Sequence, residues 1–65
     1  MKIEVNGEAR AISAATVAEA LAELGWRDAR VATALNGDFL PKAARETTAL
    51  TEGDRLEVLA PMQGG

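Results

Sequence analysis

Two Asn-Gly dipeptides, Asn6-Gly7 and Asn36-Gly37, constrain this chain more than any other feature of its sequence. Asn-Gly suits a two-residue turn between antiparallel strands, because both central positions of that turn need positive φ. Before the first, Ile3 and Val5 alternate with Lys2 and Glu4; after it, Ala9 to Ile12 resumes an extended pattern, so the segment predicts a β-hairpin. Before the second, "VATALNG" sets Val31, Thr33 and Leu35 on one side and alanines on the other. After it, "DFLPK" is cut short by Pro41, which cannot donate to a ladder, so Phe39 and Leu40 predict a brief edge strand.

Between the two Asn-Gly turns lies one helix signal. Thr16 stands three residues ahead of Glu19 as a capping box, and Val17, Ala20, Leu21 and Leu24 follow at the spacing of one helical face. Ser13 is a rival N-cap but has Thr16 at its third position, so Thr16 is preferred. Gly25 closes the helix as a C′ residue, and Trp26, in a polar turn with Arg27 and Asp28, reads as a lid over the core. Lys42 to Thr51 carries one large apolar residue, Leu50, and suggests no element. Glu52-Gly53-Asp54 then forms a turn into "RLEVLA", a strand with Leu56 and Val58 on one face and Glu57 and Leu59 on the other.

The order hairpin, helix, strand, edge strand, strand predicts an α+β fold, a small mixed sheet packed on one helix. The first and last strands are expected side by side and parallel at its centre. Residues 1–60 then form the domain, and residues 61–65, "PMQGG", a flexible tail leaving a rigid strand.

Composition narrows the function. Of 65 residues, 48% are hydrophobic, but fourteen residues are alanine, so each large apolar side chain needs an assigned place. Cysteine and histidine are absent, which removes thiolate chemistry and the usual general base and metal ligand. Seven basic residues face ten acidic ones, a net charge of −3, and the basic ones are scattered, which argues against nucleic-acid binding. No signal-peptide or membrane-spanning run is visible, and the expectation is a cytoplasmic protein with no membrane partner. The most distinctive reactive group left is the α-carboxylate of Gly65.

The opening "IEVNG", the helix "TVAEALAELG", the central "VATALNGDFLP", the "LTEGDRLEVL" and the final "GG" together resemble the ThiS family, the ubiquitin-like β-grasp sulfur carriers of thiamin thiazole biosynthesis. The resemblance implies that Gly65 is the attachment point of an adenylate and then of a thiocarboxylate. It also implies three partners: an E1-like (ThiF-like) adenylating enzyme that uses ATP, a sulfur donor protein, and a thiazole synthase (ThiG-like) that receives the sulfur. The carrier itself would bind no cofactor or metal and would act as a cosubstrate, not an enzyme. Gln63 and Gly64 would thread a narrow channel, since a Cβ widens the chain and restricts it. Extended at ~3.3–3.6 Å per residue, the tail reaches roughly 17 Å. Phe39, Leu59 and Met62 would form the docking patch for partners. Alternatives are a MoaD-like carrier for molybdopterin synthesis, a ubiquitin-like modifier joined to lysines through Gly65, and a plain interaction module.

Overall fold

The structure, a computed structural model, describes residues 1–26 and 30–60. Its sheet has five strands in the order β2-β1-β5-β3-β4. These are β1 Lys2–Val5, β2 Glu8–Ala11, β3 Ala32–Leu35, β4 Asp38–Leu40 and β5 Arg55–Leu59. One helix, α1 Val17–Glu23, crosses the inner face.

Both hairpins close as their dipeptides require. Asn6 and Gly7 have φ of 51° and 85°, and Asn36 and Gly37 have 52° and 89°. Between the hairpins runs β5, parallel to β1 through Glu4↔Arg55 and Val5↔Leu56 and antiparallel to β3 from Leu35↔Leu56 to Ala32↔Leu59. The first and last strands are therefore neighbours, and β4 is an edge, as expected.

α1 is stopped at both ends by local chemistry. Thr16 is extended (φ −121°) and its Oγ1 accepts the Glu19 N–H at 3.2 Å. The Glu19 carboxylate reaches back to the Ala15 N–H at 2.9 Å, one residue earlier than the reciprocal bond of a symmetrical capping box. At the other end Gly25 adopts φ 98°, the Trp26 N–H donates to Leu21 C=O at 2.8 Å, and the Gly25 N–H donates to Ala22 C=O at 3.2 Å. That pair is a Schellman motif.

The core gathers Ile3 and Val5 from β1, Leu56 and Val58 from β5, and Val17, Ala20 and Leu21 from α1, with Ile12, Ala14 and Leu50 between them. Leu24 and Trp26 pack on its rim, in keeping with the lid reading of Trp26. Arg27 and Asp28, assigned to the helix-exit turn, lie outside the described residues.

The stretch without a sequence assignment is structured by distant partners. After a 3₁₀ turn at Lys42–Ala44, its carbonyls cap α1: the Val17 N–H donates to Thr48 C=O and the Ala18 N–H to Arg45 C=O, both at 3.0 Å. These are two of the donors that a helix start leaves open. Ala49 bridges Thr16, and Leu50 drops into the core. Arg45 is itself buried; its Nε donates to Thr33 Oγ1 at 3.0 Å and its Nη2 to Val31 C=O at 2.7 Å, while the Thr33 hydroxyl donates to Leu40 C=O at 2.8 Å.

Candidate functional site

β5 points the chain into its last residues, so the site is built around the end of that strand. On one side the ladder with β3 continues to Ala32↔Leu59. On the other, β1 stops at Val5↔Leu56, and a side chain takes over. The Asn6 N–H donates to Leu56 C=O at 3.0 Å, its Oδ1 accepts the Val58 N–H at 2.8 Å, and its Nδ2 donates to Val58 C=O at 3.1 Å. The strand is thus hydrogen-bonded on both sides up to its penultimate residue.

The alternation along β5 settles which side chains face out. Leu56 and Val58 are buried, whereas Leu59 is 69% exposed, as its sequence position predicts. Phe39 is 71% exposed. Register places both on the outer face, Leu59 beside Ala32 and Phe39 beside Ala34, with the two alanines of β3 between them. Two strand spacings, roughly 9.5 Å, separate their strands. Alanine keeps that gap low, so the two large side chains flank one apolar strip. Elsewhere the face carries Lys2, Glu4, Arg55 and Glu57, with Ala9 and Ala11 at the β2 edge.

Met62, Gln63, Gly64 and Gly65 lie outside the described residues, so of the expected site residues the structure brings together Phe39 and Leu59. Around the other side of the β5 exit runs a groove lined by Leu21, Trp26, Val31, Arg45, Leu59 and Ala60. Among the described residues no three His, Cys, Asp or Glu side chains gather in a metal-binding arrangement, and no helix is long and apolar enough to cross a membrane.

Sequence reasoning missed two residues that shape this end of the molecule. Arg45 carried no signal, because its partners are twelve and fourteen positions away. Asn6 was read for its φ alone, and nothing in a turn dipeptide announces a bond to Val58, fifty-two positions on.

The opposite end of β5 is held the same way. The Asn36 Oδ1 accepts the Arg55 N–H at 2.9 Å, and its Nδ2 donates to Asp54 Oδ1 at 3.1 Å. Asp54 also accepts the Thr51 N–H at 2.8 Å and the Thr51 hydroxyl at 3.0 Å. The Thr51 backbone bond first, and the Asn36 amide next, hold the Asp54 carboxyl below its ordinary pKa near 3.8.

A mixed five-stranded sheet grasping one helix, with parallel first and last strands at its centre and the last strand leading out of the body, defines a ubiquitin-like β-grasp protein. The ThiS family model matches residues 3–65. The crystal structure of a thiamine biosynthesis protein (ThiS) from Geobacter metallireducens is 35% identical, with a TM-score of 0.83 and 100% of both chains covered. An NMR solution structure of a thiamine biosynthesis protein from the same organism is 33% identical, with a TM-score of 0.80, over 100% of this chain and 88% of that one. A thiazole synthase of Paramagnetospirillum magneticum is 41% identical over 66 residues; the match takes in 100% of this chain but spans only 20% of that relative's length. The chain belongs to the ThiS family of sulfur carriers.

Proposed function

We propose that this chain is a protein cosubstrate whose Gly65 α-carboxylate is activated, loaded with sulfur and unloaded into thiazole formation. The observation that carries the reading is the family match, which runs through Gly64 and Gly65. The relative named thiazole synthase supports the thiazole branch over the molybdopterin one, because a stretch like this chain forms part of that protein.

The chemistry follows from the poverty of the group. A carboxylate repels nucleophiles and has no usable leaving group, so a Gly65 oxygen attacks the α-phosphate of ATP in an E1-like (ThiF-like) enzyme and pyrophosphate departs. The terminal sulfur of a persulfide on the donor protein then attacks the acyl carbon and AMP leaves. A thiol reductant cleaves the resulting acyl disulfide and frees the thiocarboxylate, which delivers sulfur to an electrophilic carbon in a ThiG-like thiazole synthase.

The chain's own residues serve delivery. Leu59 and Phe39, with Met62, dock the body on its partners, while Gln63 and Gly64 thread the channel that brings Gly65 to the nucleotide. ATP–pyrophosphate exchange with a ThiF-like enzyme tests this. Exchange is expected with the chain as it stands and is expected to vanish when one residue is added after Gly65, since the acyl carbon moves by about 3.3–3.6 Å. Equal exchange by both chains contradicts the reading.

A further inference from the structure

The two Asn-Gly turns have equivalent backbones, and both send their carboxamides to β5, one at each end. β1 is parallel to β5 and β3 antiparallel, so Asn6 lies beside the exit of β5 and Asn36 beside its entrance. Asn6 pairs with Val58 as a strand residue would, accepting its N–H at 2.8 Å and donating to its carbonyl at 3.1 Å. Asn36 likewise accepts the Arg55 N–H at 2.9 Å, but its Nδ2 donates to the Asp54 side-chain carboxylate at 3.1 Å and not to a carbonyl of β5.

We propose that Asn6 is a positioning residue for activation: its carboxamide holds the end of β5 in line, so that the segment beyond it enters the partner's site in one direction. The proposal rests on the reading of Gly65 as the activated residue. Without the carboxamide, the Val58 N–H and C=O both lose their partner, because Thr33 faces Val58 at a non-hydrogen-bonded position of the antiparallel ladder. A glycine pair adds no stiffness of its own, so the end of β5 sets where the tail starts toward the partner's channel. Misplacement of a reacting group by ~1 Å can cost on the order of 100-fold in rate. Asn36 likewise accepts one β5 N–H through its carboxamide, at the end where no reaction occurs, and so serves as the internal control.

Glycine adopts positive φ without strain, so Asn6→Gly and Asn36→Gly each keep the turn while deleting one carboxamide. Steady-state adenylation by the ThiF-like enzyme, with amide hydrogen exchange on the free chain, separates the roles. For Asn6→Gly the expected result is a kcat lowered about 10-fold at a KM within about two-fold of wild type, with faster exchange at Val58. Asn36→Gly is expected to keep both kinetic constants within about two-fold of wild type. Should Asn6→Gly fail to fold, Asn6→Asp keeps the acceptor, loses the donor and is expected to show the same split. Equal kcat losses in the two turn variants, or an unchanged kcat in the Asn6 variants, overturn the proposal. A wild-type chain that is never adenylated fails before any variant is compared; it overturns the reading of Gly65 and the positioning role with it.

Discussion

Leu59 and Arg45 show how differently single side chains act at the end of β5. Leu59 is exposed in the free chain, so Leu59→Asp removes no core contact and is expected to alter stability by about 1 kcal/mol or less, the span of strand propensities. If Leu59 docks the partner as proposed, the same change buries an unpaired charge in the complex, and losses at such hot spots cost about 2 kcal/mol or more. Titration calorimetry against the ThiF-like enzyme is expected to show at least about a 30-fold weaker Kd with a nearly unchanged denaturant midpoint. Unchanged binding would move the docking surface off this face. Arg45 has the reverse profile, since it is buried and bridges Thr33 and Val31. Arg45→Lys replaces a planar fork by a point donor that cannot reproduce both contacts. It is expected to cost about 1–3 kcal/mol in urea denaturation, and a midpoint equal to wild type would show that the fork is not needed.

Two elements, α1 and the turn into β5, each make a contribution to stability that can be measured. Leu21 is buried in the middle of the helix face that joins the core, and Leu21→Ala is expected to lose about 2–5 kcal/mol. A domain of this size commonly has only about 3–5 kcal/mol in hand, so circular dichroism should find a largely unfolded population. A fully folded spectrum with an unchanged midpoint would contradict the packing described. The turn at Asp54 carries a pH signature. Its carboxyl has a lower pKa folded than unfolded, so its contribution is fully present above the unfolded value, near 3.8, and is lost as pH falls through the folded value. Asp54→Asn is expected to flatten the fall in melting temperature below about pH 4. An identical pH profile would show that the bonds from Thr51 and Asn36 do not favour the carboxylate.

Across the whole molecule, what the sequence made legible was whatever neighbouring residues decide. Asn-Gly demands positive φ wherever it occurs, and Thr16 and Gly25 bracket a helix through bonds to their own flanks, so both hairpins and α1 could be read directly. The buried alternation of Leu56 and Val58 likewise placed Leu59 outside. The stretch after Pro41 was opaque because its order comes from elsewhere: Thr48 and Arg45 bond the start of α1, and Ala49 bridges Thr16. The exposure of Leu59 was legible from alternation alone, while the bonds of Asn6 need a partner that only the closed sheet supplies.

Sulfur loading at Gly65 is read out by intact mass spectrometry after incubation with ATP, the ThiF-like enzyme, a persulfide donor and a thiol reductant. The expected product has one oxygen replaced by sulfur, with fragmentation placing the change at Gly65. High-mass conjugates to other proteins, or a chain of unchanged mass, would contradict sulfur loading at Gly65.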